Sequence, residues 1–397
     1  MRKDYRVETG GVTDGVEHFA GTRPQLCEEA ARRSGLDDFG EPDFHEGLDL
    51  LLAGMDGADL SAHGRVAARE GVLGHLTARL RAIHGFKSHA EAMARAIVRP
   101  LIVTGIVRSG TTALHKLLAM DPQFQGAEHW LCAAPQPRPP RDQWAGNPDF
   151  QQAKAALDAM IAQAPEFFEE HGMAVDTVEE SLNLLPQNFC TNMYPSQLVI
   201  PEYDRWYRAQ DDTASYRRFA DNLRLIGAHD PDRTWLLKNP TDTYSLREVL
   251  DVFPDAMVVQ THRDPLQSVP SVVNLIGAAH RIFRGDRADI AGVYAREEEF
   301  WALALARADA VKDANPGVVF DVRFGNFLRD QIGVVQAIYA HFGLVLSAQA
   351  ETAMRAWLAA NPRRSTTLQR FTPEDYGHSS GALKERYADY RKRYGYC

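Results

Sequence analysis

Pro100-Leu101-Ile102-Val103-Thr104-Gly105-Ile106-Val107-Arg108-Ser109-Gly110-Thr111-Thr112-Ala113-Leu114-His115-Lys116-Leu117-Leu118 reads as a strand, a tight loop and a helix. Leu101 to Val103 is a short apolar run of the kind found in buried strands. Gly105 and Gly110 permit a sharp turn and let the backbone approach a ligand closely. Thr111 and Thr112 open a helix whose apolar face is Leu114, Leu117 and Leu118. The N-terminus of such a helix offers unpaired N–H groups and the positive end of the helix dipole, so the loop suits an anion.

Gly105 to Gly110 matches the first part of a nucleotide P-loop, G-x-x-x-x-G, after which a lysine is expected. Thr111 stands there instead, and Arg108 is the only cation inside the loop. A kinase or ATPase would lack its β/γ-phosphate lysine. A shorter anion, held by a cation from the other side of the loop, fits better.

A second strand-and-loop stretch runs Ala256-Met257-Val258-Val259-Gln260-Thr261-His262-Arg263-Asp264-Pro265, with Ser271 eight residues after Arg263. Arginine presents a planar fork to a phosphate and serine adds one hydrogen bond. Together the two loops suit a ligand with phosphate-type groups at both ends. On these motifs the chain, over about residues 98–397, resembles the sulfotransferases that use 3′-phosphoadenosine 5′-phosphosulfate (PAPS). The resemblance implies that Arg108, Ser109, Gly110, Thr111 and Thr112 hold the 5′-phosphosulfate, and that Arg263 and Ser271 hold the 3′-phosphate. The R-S-G-T-T loop is similar to the bacterial branch and to the protein-tyrosine sulfotransferases, not to the K-S-G-T-T of cytosolic animal enzymes.

Further residues extend the resemblance. Thr234-Trp235-Leu236-Leu237-Lys238-Asn239-Pro240 reads as a strand ending in Lys238, where relatives carry K-x-P with a lysine that binds and polarises the phosphosulfate. Bacterial relatives often place a histidine two residues after that proline, available as a base; here it is Asp242. After Asp121-Pro122 a further strand is expected to lead back to the site, with Glu128 and His129 at its end. Related enzymes carry a general base in this region, so Glu128, His129 and Asp242 stay open as the group that takes the acceptor's proton. Gly317 to Phe324 reads as another parallel strand. Phe324 stands where relatives have a tyrosine near the adenine and keeps the stacking surface without the hydroxyl. Asn361 to Phe371 is locally basic, and Arg363 and Arg364 resemble the C-terminal loop that closes over the 3′-phosphate, although the usual glycines are missing.

Residues 1–99 carry helical spacing and no strand signal. Segments near Cys27–Arg33, Phe44–Leu52, Arg65–Ile83 and Ser88–Ile97 are expected helices, with Ser88 as an N-cap. Helices are also expected at 150–164, 213–228, 245–253, 293–313 and 331–342, with one terminal amphipathic helix from Phe371 to Tyr396. Glu166–Glu170 and Glu179–Glu180 are acidic runs of the kind that form solvated faces. Tyr203, Trp206 and Tyr207 lie in an aromatic stretch read as core with partial contact to an acceptor pocket.

Strands alternating with helices, and anion loops at strand ends, predict an α/β, P-loop-like three-layer fold with a central parallel sheet. A helical region over 1–97 would pack as a layer on an α/β domain over 98–397. With 397 residues, 45% of them hydrophobic, the chain can bury a large core. A net charge of −9 disfavours a nucleic-acid partner. Four cysteines without a C-x-x-C pair indicate neither a zinc site nor a disulfide framework, and no metal is expected. No signal segment or membrane span is read, so a cytoplasmic protein is expected. The resemblance implies transfer of a sulfuryl group from PAPS to the hydroxyl, with an amine second, of a small-molecule or lipid-like acceptor. A P-loop phosphotransferase and a non-catalytic PAPS- or nucleotide-binding protein are the alternatives. The oligomeric state, with a homo-oligomer among the options, is left open.

Overall fold

The computed structural model describes residues 18–163, 173–362 and 371–396. These residues group into two compact units. One comprises 18–95, 127–163, 173–229 and 275–289; the other comprises 96–126, 230–274, 290–362 and 371–396.

The second unit holds a five-stranded parallel sheet. Its strands are β1 (Leu101–Gly105), β2 (Phe124–Gln125), β3 (Thr234–Lys238), β4 (Met257–His262) and β5 (Val319–Arg323), in the order β2-β3-β1-β4-β5. Every residue of β1 and β4 is buried, as expected of central strands covered on both faces. β1 sits between β3 and β4, with Val103 opposite both Lys238 and Val259. Alternation along the strands sorts their side chains. Leu101, Val103, Leu236, Met257, Val259 and Val322 enter one core with Leu114, Leu117, Leu118, Val335, Ile338 and Met354 from the helices Thr111–Leu118, Gln331–Phe342 and Ala348–Ala360. Gln260 and Asp321 face the other way and meet Lys312 of the helix Ile290–Ala314. The result is the three-layer α/β architecture read from the sequence. Because the chain crosses from β1 to strands on either side of it, the order switches at β1, where ligands sit against strand carboxyl ends in such sheets.

The first unit is helical among its described residues. Its long helix Ala62–Ser88 starts at Ser61, whose hydroxyl accepts from Gly64 N at 2.9 Å. Its buried face includes Leu73, Leu76, Leu80 and Ile83. Arg79, fully buried on the same helix, donates to the carbonyls of Phe39, Glu41 and Gln187. The expected aromatic core holds: Tyr203 and Tyr207 are buried, and the Tyr203 hydroxyl donates to Phe189 O at 2.7 Å.

Three local readings are corrected. Ser88 ends the long helix and does not cap a new one; only the short helix Ala90–Met93 follows. The strand after Pro122 is two residues long, and Glu128 and His129 instead open the helix His129–Ala133. The terminal segment is broken into a 3-10 turn at Pro373–Tyr376 and the helices Ser380–Arg386 and Ala388–Tyr394, with left-handed Gly377 after the first of them. Apolar periodicity marks a buried face but does not see the breaks that caps introduce. The acidic run Glu166–Glu170 and the basic pair Arg363 and Arg364 lie outside the described residues.

Candidate active site

β1 ends at Gly105, whose φ is +128°. A Cβ there would lie 2.3 Å from the Thr261 carbonyl, so the β1–β4 pair closes only around glycine. Four hydroxyls then fix the loop from inside. Thr104 Oγ1 donates to the Asn239 carbonyl at 2.9 Å, and Gly105 N donates to Thr243 Oγ1 at 2.9 Å. Ser109, 1% exposed, donates to the Ile106 carbonyl and lies 2.6 Å from Thr261 Oγ1. Gly110, at φ +92°, is the N-cap of the helix Thr111–Leu118. A Cβ at Gly110 would meet the Phe324 ring at 2.8 Å, so this ring lies against the turn.

The two arginines singled out in the sequence meet. Arg108 adopts φ +72° and its Nε donates to Ser271 Oγ at 3.1 Å. Arg263 Nη1 donates to the Arg108 carbonyl at 2.8 Å, and the Arg263 guanidinium carbon sits 4.9 Å from the centre of the Phe324 ring. Burial and the Arg108 charge hold the Arg263 pKa below its usual value. Two cations brought together in partial burial form a site whose electrostatics an anion would improve. A left-handed, non-glycine Arg108 costs backbone energy, as conformations at ligand-holding turns often do.

At the end of β3, Lys238 is 2% exposed and its Nζ donates to Thr112 Oγ1 at 3.2 Å. Thr111 is buried at the first turn of the same helix. Asp242 is buried too, and its Oδ1 accepts from Asn239 Nδ2 at 2.6 Å, bracing the 3-10 turn Pro240–Thr243 that Asn239 caps. The structure thus brings Arg108, Arg263, Ser271 and Phe324 into one connected group and sets Lys238 on Thr112.

Glu128 and His129 belong to the first unit. Glu128 Oε2 accepts from Arg138 Nε at 3.1 Å, with both side chains nearly buried. His129 has its Nδ1 buried without a hydrogen bond, and burial lowers its pKa from the usual 6.5. At neutral pH its ring is therefore uncharged and able to accept a proton.

Sequence reading missed two residues near Arg263. Tyr390 and Arg391, from the last helix, contact His262 and Asp264 on either side of it. A separation of 127 residues between Arg391 and Asp264 leaves no local signal. Among the described residues no cluster of three or more His, Cys, Asp or Glu is placed to hold a metal ion, and no helix is long and apolar enough to cross a membrane.

A glycine-bearing strand–loop–helix turn at the switch point of a parallel sheet, with a second arginine at the end of the neighbouring strand, is the geometry of the class of α/β enzymes that bind ligands at strand carboxyl ends. The particular family follows from comparison with known proteins. A sulfotransferase family profile matches residues 100–348, and the chain belongs to that family. The crystal structure of the sulfotransferase STF1 from Mycobacterium tuberculosis H37Rv shares 36% identity, with a TM-score of 0.84 over 94% of this chain and 99% of that one. That of the sulfotransferase STF9 from Mycobacterium avium shares the fold, at 24% identity and a TM-score of 0.87 over 96% of this chain and 98% of that one. The omega-hydroxy-beta-dihydromenaquinone-9 sulfotransferase Stf3 of Mycobacterium bovis is 23% identical over 303 residues, 75% of each chain. The protein is an enzyme of the sulfotransferase class.

Proposed function

We propose that this enzyme takes its sulfuryl group from PAPS and delivers it to the hydroxyl of a lipid-like small molecule. The observation that carries the donor assignment is the connected group Arg263–Arg108–Ser271, with Phe324 beneath the Arg263 fork. The residues fit a ligand with a phosphate at each end. The glycine turn and the Thr111–Leu118 helix N-terminus suit the 5′-phosphosulfate, with Arg108 and Lys238 neutralising the charge that builds on the bridging oxygen. Arg263 and Ser271 suit the 3′-phosphate, and Phe324 offers an apolar ring for the adenine. When bound, PAPS would supply an activated sulfuryl group whose transfer breaks its S–O–P link and forms an S–O bond to the acceptor. Ser109 keeps the loop closed through its buried hydroxyl.

Three groups stood open as proton acceptor. Asp242 spends an oxygen on Asn239 and Glu128 spends one on Arg138, whereas His129 is neutral and carries no such tie. The base role is assigned to His129 on that chemistry. The lipid-like acceptor draws support from the relative named for a hydroxylated dihydromenaquinone. A net charge of −9 is also ill suited to a polyanionic glycan.

Calorimetric titration with adenosine 3′,5′-bisphosphate, set against ATP with Mg²⁺, tests the donor site. Preference for the bisphosphate is expected; preference for ATP would overturn the reading in favour of a phosphotransferase. Radiolabelled PAPS offered with hydroxylated isoprenoid quinones, simple long-chain alcohols and sulfatable glycans then tests the acceptor class. Label moving mainly to glycans would overturn the lipid-like assignment.

A further inference from the structure

The last helix of the chain, Ala388–Tyr394, closes on the carboxyl end of β4 and holds the residue on each side of Arg263. Before it, His262 is fully buried; its Nδ1 lies 2.7 Å from the Tyr390 hydroxyl and its ring stacks on Tyr394 with centroids 3.8 Å apart. After it, Asp264 accepts a forked pair from Arg391, Nε to Oδ1 at 3.0 Å and Nη2 to Oδ2 at 3.3 Å. Arg391 is 8% exposed, and its Nη2 also donates to the Tyr396 carbonyl at 2.5 Å. A planar guanidinium meeting both oxygens of a carboxylate fixes direction as well as distance.

Asp264 is the corner at which β4 becomes the helix Pro265–Arg284. Its Oδ1 accepts from Leu266 N at 3.1 Å, and its carbonyl accepts from Gln267 N at 2.9 Å and Ser268 N at 3.0 Å. Arg263 stands on one side of that corner and Ser271 on the first turns of the other. Setting the angle of the corner sets the reach of both.

We propose that Arg391 is a positioning residue that, through Asp264, pre-organises Arg263 and Ser271 for the 3′-phosphate of the donor nucleotide. This rests on the donor reading above. A clamp of this kind lowers the cost of ordering the phosphate ligands when the nucleotide binds, so its loss shows selectively in ligands that carry the 3′-phosphate.

The test compares adenosine 3′,5′-bisphosphate with adenosine 5′-phosphate by calorimetry on the full chain. Arg391→Met keeps the apolar stem and removes the fork; Arg391→Lys keeps the charge. Asp264→Asn keeps an oxygen for the helix cap, and carries the test if Arg391→Met fails to fold. The expected result is that Arg391→Met or Asp264→Asn weakens the bisphosphate about tenfold and changes the monophosphate by less than about twofold, with Arg391→Lys in between. In an Arg263→Ala background the same change costs less than in the wild type, because the Arg263 contact is already gone and only Ser271 is left to misplace. Equal losses for the two ligands, or no loss, alongside a wild-type preference for the bisphosphate, would overturn the positioning role alone. A wild-type chain without that preference would overturn the donor reading, and this proposal with it.

Discussion

Arg263 Nη1 donates a hydrogen bond to the Arg108 carbonyl 2.8 Å away, so the loops after β1 and β4 are tied where each carries a cation. A lysine at 263 would keep the charge and lose the fork that reaches a carbonyl and an anion together. Arg263→Lys is expected to weaken adenosine 3′,5′-bisphosphate by about 2 kcal/mol, roughly 30-fold, since hydrogen bonds to charged groups contribute on that order. Calorimetry at fixed ionic strength measures it; an unchanged Kd would remove Arg263 from the site.

Glycine at 105 is required on two counts, its φ of +128° and the backbone oxygen of Thr261 where a Cβ would stand. Neither can relax without moving a central strand. Gly105→Ala should cost at least about 2 kcal/mol of stability, read from the denaturant midpoint. Gly325, in the helix Phe324–Arg329, meets nothing within 4 Å of an added Cβ. Gly325→Ala should therefore be neutral or stabilising by up to about 1 kcal/mol.

Two buried histidines predict the acid limb of stability. Burial pushes His75 in the first unit down to about 4. In the second unit burial, with the nearby Lys238 charge, pushes His115 down to about 3. Both are neutral when folded and protonate near 6.5 when unfolded, so the unfolded chain binds more protons below that pH. Stability should be flat above pH 7 and fall as the pH drops from about 6.5 towards 4, by roughly 3 kcal/mol for each histidine. Urea midpoints at pH 7.5, 6 and 5 give the slope. His115→Leu should make it shallower in the second unit; an unaltered slope would show that this histidine does not titrate on unfolding.

Much of this was legible in the chain and some of it was not, for separable reasons. Leu101–Gly105, Thr234–Lys238 and Met257–His262 announce themselves because central strands are apolar on both faces. Phe124–Gln125 is too short to carry a pattern, so the strand expected there shrank and Glu128 and His129 turned out to begin a helix. The meeting of Arg108 with Ser271 spans 163 residues, yet Arg108 lies in the glycine loop and Ser271 at a fixed eight-residue distance from Arg263, so each was marked by its own motif. The Arg391–Asp264 fork lies in a terminal helix that reads as an ordinary basic amphipathic segment, and only the fold brings it to β4.

Assigning proton acceptance to His129 makes a prediction that separates it from its neighbour. Burial lowers the His129 pKa from 6.5, so the ring is neutral at pH 7 and gains a proton only in more acid solution. With PAPS and a working acceptor, kcat/KM should be level around pH 7 and fall with unit slope as the pH drops through a value below 6.5. His129→Ala should lower kcat by 100-fold or more on the usual scale of general-base contributions, and abolish that limb, while leaving the bisphosphate Kd unchanged. Glu128 touches Arg138, which is 7% exposed, so Glu128→Gln strips a carboxylate from a buried cation. It should lower stability by weakening that pair and leave the acid limb in place. If Glu128→Gln instead removed the limb while His129→Ala kept it, the carboxylate would be the base and the Arg138 pair part of how it is held.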